Sequence, residues 1–245
     1  MVAACLAALM ISAPIAPLRV LVFSKTEAFH HDSIPDGKRA IYQIGEANGW
    51  TTSFSENSKD FSASNLNRFD VVVFLSTTGD VLDGEQQTAF ENFIRSGKGY
   101  VGVHAAADTE YEWPWYGKLV GAYFKSHPRI QEAEVKIEDK NHPSTLTLPG
   151  IWSRTDEWYD YRTNPRANVH VLASLVTSSY ADHTMGADHP IMWCHEFDGG
   201  RAFYTGFGHT KESYADPLFR NVLQRAIEWA GKSANSAKNM RYDSH

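Results

Sequence analysis

The segment 99–108 constrains the possible fold most, because its residues predict a buried strand that ends at a histidine. Tyr100, Val101 and Val103 favour β-structure. Small residues follow His104, where a strand would give way to a turn and a helix. In open α/β sheets, ligands bind at the carboxyl ends of the strands. We therefore expect His104 and Asp108 to lie at the mouth of a pocket.

Apolar periodicity predicts three strands and two helices before this segment. In chain order they are a strand at 18–23, a helix at 33–49, strands at 50–54 and 70–75, and a helix at 83–97. Ser33 is the expected start of the first helix, and Asp83 with Gln86 has the spacing of a capping box for the second. Alternation of strands and helices predicts right-handed crossovers and a parallel sheet.

The second half of the chain is more aromatic and less regular. The pattern predicts a helical stretch at 118–123, an edge strand at 131–137, a strand at 169–175, a hairpin of 191–197 with 200–205, and a final helix at 217–231. No repeat or linker interrupts this order. The sequence therefore predicts one α/β domain over residues 18–231, followed by a polar tail at 232–245.

Residues 1–17 carry no charge and resemble the apolar and cleavage regions of a secretory signal, although the positively charged start is missing. We expect a periplasmic or secreted protein, with a cytoplasmic location as the alternative. The run is too short and too rich in proline to predict a membrane span. Cys5 falls in this leader, and Cys194 falls inside a predicted strand, so we expect a lone buried thiol rather than a disulfide.

The formal net charge of -6 and the lack of a lysine or arginine run argue against a nucleic-acid surface. The chain has seven tryptophans and eleven tyrosines. Most of these aromatic residues are expected in the core, and a few could form a wall that faces a sugar.

Histidines and acidic residues gather in loops at or near the ends of predicted strands. They are His30, His31, His104, His127, His209, Asp108, Asp156 and Glu157. Such groups are suited to general acid–base catalysis near neutral pH or to metal binding. No pair has the compact spacing of His-Glu-x-x-His, and most loop histidines have no special role. His30 and His31 are adjacent, so one of them is expected to face away.

The local sequence Gly102-Val-His104-Ala-Ala has the shape signals of a strand–turn–helix elbow. An elbow that carries a nucleophile needs serine or cysteine at this position. An imidazole is instead a good base, so His104 is expected to act as a base or a ligand.

These features together resemble the ThuA-like family, named for trehalose utilisation. The resemblance rests on Phe29-His30-His31, Gly102 to Asp108, His127-Pro128, Asp156-Glu157-Trp-Tyr159, His189-Pro190-Ile-Met-Trp193 and Gly200 to His209. It implies a flavodoxin-like, three-layer sandwich similar to class I glutamine amidotransferases, with a mainly parallel central sheet and a C-terminal hairpin. Those enzymes carry a cysteine at the elbow, so their chemistry is not implied.

The resemblance also implies catabolism of trehalose-like disaccharides or related glycosides, including forms oxidised to 3-keto sugars. A 3-keto group acidifies the neighbouring C–H, so a base could start β-elimination and water addition could complete net hydrolysis. His104 or His209 is the expected base, Glu157 or Asp108 its partner or a metal ligand, and Tyr159 a proton donor. The expected substrate contacts are His30, His31, Trp113, His127, Asp156, His189 and Trp193. A divalent metal on some of His30, His104, Glu157 and His209 would polarise the ketone.

Two other functions remain open at the level of sequence. A non-catalytic sugar-binding module would use the same aromatic and polar pocket. An ordinary glycosidase would need two carboxylates about 5–9.5 Å apart, which the adjacent Asp156 and Glu157 make difficult. A purely structural role leaves the polar loops unexplained. The expected partner is a small-molecule sugar, and homo-oligomer formation stays open.

Overall fold

The computed structural model describes residues 16–231. Nearly all of the expected leader (1–15) and the whole expected tail (232–245) lie outside the described residues. A nine-stranded mixed sheet forms the centre of an α/β fold. Its strands are β1 Arg19–Phe23, β2 Thr51–Ser55, β3 Val71–Leu75, β4 Gly99–Val103, β6 Gln131–Ile137, β7 Ile151–Asp156, β9 His170–Leu175, β10 His189–Phe197 and β11 Gly200–Thr205. Across the sheet they lie in the order β2-β1-β3-β4-β11-β10-β9-β6-β7.

The helices and a small second sheet complete the fold. The helices are α1 Ile34–Asn48, α2 Ala63–Leu66, α3 Gly84–Arg95, α4 Pro114–Val120 and α5 Pro217–Gly231. The small sheet pairs β5 (Phe124–Ser126) with β8 (Asp160–Tyr161). The helical stretch expected at 118–123 therefore begins earlier, because Pro114 supplies a residue suited to the first turn and Gly121 ends the helix with a positive φ of 95°.

One half of the sheet is parallel and the other antiparallel. The four pairings from β2 through β11 are parallel. Strand–helix alternation predicted this for β1 to β4, whereas the parallel pairing of β11 with β4 was not predicted. All residues of β3 and β4 are buried, which is typical of strands covered on both faces. The pairings from β11 through β7 are antiparallel. The expected edge strand β6 is internal instead, because β7 pairs along its outer side.

The predicted capping box of α3 is present, with Asp83 and Gln86 each bonded to the other's backbone N–H. Ser33 behaves differently from the prediction. Its hydroxyl does not cap α1 but donates to the carbonyl of Gly208, 2.9 Å away. The loop before α1 is thereby fastened to the loop after β11.

The predicted lone thiol is confirmed within the described residues. Cys194 is free and buried in β10, and burial raises its pKa to about 12. A thiol with such a pKa is a weak nucleophile at neutral pH. None of the helices within residues 16–231 is both long enough and apolar enough to cross a bilayer.

Asp70 ties together the starts of three parallel strands. Its carboxylate accepts hydrogen bonds from Arg19 at 2.6 and 2.9 Å and from Lys98 at 2.7 Å. Burial tends to raise its pKa, but these cationic donors outweigh burial and lower the pKa to about 2.

We expect Asp70→Asn to destabilise the fold by about 1 kcal/mol at pH 7, since the Asp70 side chain is 21% exposed and solvent weakens the pair. The unfolded-state pKa lies near 3.9, so the contribution is complete above about pH 5 and is lost as the pH falls towards 2. Urea midpoints at pH 7, 5 and 3.5 should show a gap between wild type and variant that narrows with acidity. Asp36→Asn, in an exposed pair with Arg39, is the control and should change stability by only a few tenths of a kcal/mol. A pH-independent gap would contradict the assignment.

Candidate functional site

Four side chains from distant parts of the chain meet beyond the carboxyl ends of the strands. They are His31 from the loop after β1, His104 after β4, Glu157 after β7 and His209 after β11. Each offers one donor atom, and the four atoms lie within 4.8 Å of one another. The side chains of His104 and Glu157 are buried, whereas that of His209 is 20% exposed. We call this group the His/Glu cluster.

The central distances in the His/Glu cluster are short. His104 Nε2 lies 3.2 Å from His209 Nδ1 and 3.5 Å from Glu157 Oε2. His209 Nδ1 lies 3.1 Å from the same carboxylate oxygen. The His31 ring stands nearly perpendicular to both other imidazoles, with ring centroids 4.9 and 5.2 Å away.

The backbone at His104 has the conformation of a sharp elbow. Its φ of 51° lies in the left-handed region, which is uncommon for a residue with a side chain. A short 3₁₀ helix from His104 to Asp108 follows at once. The Tyr204 hydroxyl donates to the His104 carbonyl across 2.8 Å and helps to hold the turn. Strained residues of this kind often occur at functional sites.

One hydrogen bond fixes the tautomer of His104. Its Nδ1 lies 3.0 Å from the carbonyl oxygen of Gly206. A carbonyl oxygen can only accept, so Nδ1 must carry the proton and donate. In the neutral ring, Nε2 then presents a lone pair to His209 and Glu157. Metal-ligating histidines are commonly oriented in this way by a carbonyl.

Asp156 holds the loop that carries His209. Its carboxylate accepts hydrogen bonds from the backbone N–H groups of Gly208 and His209, at 2.9 and 3.0 Å, and from the Ser213 hydroxyl at 2.9 Å. Gly208 has a φ of 113°, where a Cβ would come within 2.7 Å of the Tyr214 hydroxyl oxygen. The buried Arg154 guanidinium donates to Asp156 across 3.1 Å and balances its charge.

The pKa values of the His/Glu cluster are shifted in a pattern that favours one anion among the imidazoles. Burial tends to raise the pKa of Glu157, but the adjacent His104 and His209 imidazoles outweigh burial and lower it. Burial also tends to lower the pKa of His209, whereas its hydrogen bond to Glu157 raises it. Burial, together with the neighbouring imidazoles, lowers the pKa of His31 to about 3, so this ring is neutral at pH 7.

The His/Glu cluster fits a divalent metal. Tetrahedral coordination with bonds of 2.0–2.1 Å separates neighbouring ligand atoms by about 3.3 Å, close to the 3.1–3.5 Å between the ligand atoms of His104, Glu157 and His209. With His31 included, all four ligand atoms lie within 4.8 Å of one another. A neutral imidazole and a carboxylate are suitable donors. In addition, His31 Nδ1 is buried without a hydrogen-bond partner among the described residues. Buried polar atoms of that kind usually have a partner.

Three further predicted residues border the His/Glu cluster. His127 Nδ1 lies 3.2 Å from Glu157 Oε1, and its side chain is 43% exposed. The Tyr159 ring packs on His104 with centroids 4.2 Å apart. Asp108 is half-buried, accepts a hydrogen bond from Tyr111 and is close enough to His104 and His127 for their charges to affect its pKa, which burial raises.

Two predicted sugar-stacking residues lie in the core instead. Trp113 is only 7% exposed, stacks with Trp115 and donates to Glu91. Trp193 is fully buried, stacks on Tyr204 and donates to the Val120 carbonyl. Both rings pack in the apolar core and cannot contact a substrate there. The prediction that Trp113 and Trp193 contact the substrate is therefore wrong.

The other corrections concern polar residues. His30 is exposed and bonds to Thr26, so His31 takes the place predicted for His30 among the candidate metal ligands. His189 is fully buried, with its ring nitrogens bonded to Tyr180 and to the Tyr159 carbonyl. Asp156 is fully buried and engaged by the protein's own donors. His189 and Asp156 therefore support the site from beneath rather than contact a substrate.

Sequence reasoning missed Arg154 and the Gly206 carbonyl. Arg154 stands two residues before Asp156 on β7, so the strand period places both on the same face. That spacing was a usable signal. The Gly206 carbonyl is a backbone group, and no residue type marks its role.

The sequence matches the model of the ThuA family, described as trehalose utilisation, over residues 19–230. A ThuA-like protein from Bacteroides uniformis is 24% identical, with a TM-score of 0.78 over 91% of this chain and 96% of that one. Another from Parabacteroides merdae is 22% identical, with a TM-score of 0.72 over 89% and 92%. A β-galactosidase from Bacillus circulans shares the fold alone, at 12% identity and a TM-score of 0.55, over 88% of this chain and 31% of that one. No curated protein sequence matches the chain.

Proposed function

Because the chain belongs to the ThuA family of trehalose utilisation, we propose that it is a carbohydrate-catabolic enzyme that cleaves a disaccharide or glycoside at the His/Glu cluster. The observation that carries the proposal is the convergence of four donor atoms within 4.8 Å. A 3-keto-glycoside is the proposed substrate, because its acidified C–H offers a proton that an imidazole beside the cluster can remove.

We propose that His31, His104, Glu157 and His209 hold a divalent metal. When bound, such an ion supplies a Lewis acid that polarises a carbonyl oxygen. The protein's contribution is orientation. The Gly206 carbonyl turns the His104 lone pair into the site, and Asp156 sets the position of His209. These supports are of the kind that tune metal affinity.

If His104 and His209 are ligands, the base must come from elsewhere, and His127 is placed for this role. Its Nδ1 lies 2.9 Å from the Pro128 carbonyl and 3.2 Å from Glu157 Oε1, so the proton sits on Nδ1. Nε2 of the neutral ring is then free to accept a proton from a substrate carbon. Glu157 would orient His127 through one oxygen and face the three imidazoles through the other.

Tyr159 is the proposed proton donor to the leaving oxygen. Burial raises the pKa of its hydroxyl well above the ordinary value, so the group stays protonated at neutral pH. Its ring is fixed between His104 and Phe124, with centroid distances of 4.2 and 4.3 Å. A fixed, protonated hydroxyl group beside the elbow is suited to that role.

The proposal is tested by metal analysis of the purified protein together with assays on paired native and 3-keto glycosides. We expect one divalent metal per chain and turnover of the 3-keto sugar only. Sugar binding without any product would overturn the enzyme and favour a binding module. Turnover of native aryl glucosides would favour an ordinary glycosidase, although the five hydrogen bonds to Asp156 leave it poorly suited as a second free carboxylate.

The adjacent histidines provide a matched pair for the metal. We expect His31→Ala to weaken metal binding by about 100-fold or more, because it removes a buried ligand. His30→Ala should stay within twofold of wild type, since this ring is exposed and outside the cluster. Chelator competition followed by elemental analysis measures both. Equal metal retention by the two variants would contradict the ligand set.

Two further proposals concern the layering of the fold and the location of the protein. We propose that the layering of the fold follows that of class I glutamine amidotransferases, with His104 in place of their cysteine. We also propose export to the periplasm or the exterior, which cell fractionation of the full-length protein would test.

A further inference from the structure

We infer that Phe29 is the platform on which the apolar C–H face of a pyranoside stacks at the entrance to the His/Glu cluster. The inference rests on the proposed function, because it supplies a binding position for the sugar ring beside the proposed reacting centre. Phe29 would then determine specificity from the same loop that carries His30 and His31.

Phe29 is a strongly exposed aromatic residue. Its side chain is 63% exposed, more than Tyr42 at 49% or Phe54 at 38%. A single exposed apolar side chain is ordinary on a protein surface. Phe29 differs from those two in its place, because its ring meets His31 edge to face with centroids 4.8 Å apart. It is therefore an exposed aromatic ring in contact with a member of the His/Glu cluster.

The backbone that carries Phe29 is firmly held. The Thr78 hydroxyl donates to the Phe29 carbonyl at 2.8 Å and accepts from the Ala28 N–H at 3.3 Å. The Glu27 N–H donates to the Thr78 carbonyl at 2.8 Å. A loop tied three times to the end of β3 cannot easily fold its aromatic ring inward. The exposure of Phe29 is thus built into the loop.

The chemistry of the surroundings suits a sugar. A pyranoside presents C–H groups on its faces and hydroxyls around its rim. An aromatic ring attracts the faces, and nearby polar groups bind the rim. The exposed His30 stands next along the chain, and the partly exposed His209 lies across the His31 ring. A sugar ring on Phe29 would therefore have imidazoles at its edge and the cluster beside it.

The test uses the full-length protein with its metal content measured, titrated calorimetrically with trehalose and with methyl α-glucoside. These native sugars bind without being consumed by the proposed chemistry. We expect Phe29→Ala to raise the dissociation constant about tenfold, and Phe29→Trp to keep it within about threefold. Phe54→Ala, which removes an exposed ring on the edge strand β2, should leave it unchanged. Metal content should stay at the wild-type level in all three variants.

With a 3-keto-glycoside, Phe29→Ala should raise KM about tenfold and change kcat less than threefold. An unchanged dissociation constant in Phe29→Ala, or no binding of either sugar by the wild-type protein, would overturn the platform. Loss of affinity in Phe29→Ala would support it even if no glycoside is turned over. In that case the enzyme proposal alone fails, so the two ideas are separated.

Discussion

Replacing His104 by alanine is expected to lower kcat/KM on a 3-keto-glycoside by about 10³-fold or more. The change removes the imidazole whose Nε2 faces both His209 and Glu157. The same variant should lose most of its bound metal. Elemental analysis and steady-state kinetics on the same preparation measure the two effects together.

A second variant separates loss of activity from loss of folding. Asparagine tolerates the left-handed backbone found at His104 better than alanine does. His104→Asn should therefore fold like wild type by circular dichroism and still be inactive. His195→Ala, which removes an imidazole from β10 outside the cluster, is the control and should keep its metal and activity. Wild-type turnover in His104→Asn would rule out the proposed site.

Asp156→Asn is expected to lower the free energy of unfolding by about 3–5 kcal/mol, which corresponds to a fall in Tm of about 10 °C. The substitution leaves the buried Arg154 with only the more distant and more exposed Asp216 as a charge partner. The asparagine NH₂ group would also face hydrogen-bond donors, namely Arg154 and the backbone N–H groups of Gly208 and His209, which now donate to the Asp156 carboxylate. Differential scanning calorimetry measures the shift. Because His209 depends on these bonds for its position, metal affinity should fall as well.

Asp216→Asn is the matched control for this prediction. Asp216 also faces Arg154, but at 3.8 Å and with 28% of its side chain exposed. Its oxygen caps α5 through the Leu218 N–H, and asparagine can still provide that acceptor. We expect a change of less than about 1 kcal/mol. Equal effects of the two substitutions would show that Asp156 has no special role.

Most of the parallel half of the sheet was predictable, because β1, β3 and β4 are short and apolar and helices separate the strands. The capping box at Asp83 shows how local that information is. The antiparallel half was harder, since the order of its strands depends on pairings that no local pattern encodes. The strand 131–137 alternates like an edge strand, yet β7 covers it. Alternation of apolar and polar residues shows only that one face of the strand is exposed. Edge strands and internal strands can both have one exposed face.

Most of the residues of the candidate site could be predicted from the sequence, but their individual roles could not. Strand-end position identified His104, Glu157 and His209, because the ends of neighbouring strands meet at one side of a sheet. The choice between His30 and His31 depends on the direction of one loop, which Thr78 sets from 50 residues away. Trp113 and Trp193 were misplaced because composition cannot distinguish a ring in the core from one in a pocket.

The His/Glu cluster also bears on how the chain completes its folding. His104 and His209 are 105 residues apart, and both lie far along the chain from His31. An ion held by all of them would close several long loops, much as a cross-link does. It would bind the finished fold and not the open chain, so at a thousandfold excess over its dissociation constant it would add about 4 kcal/mol by mass action. The metal-loaded protein should then resist proteases that readily digest the chelated form.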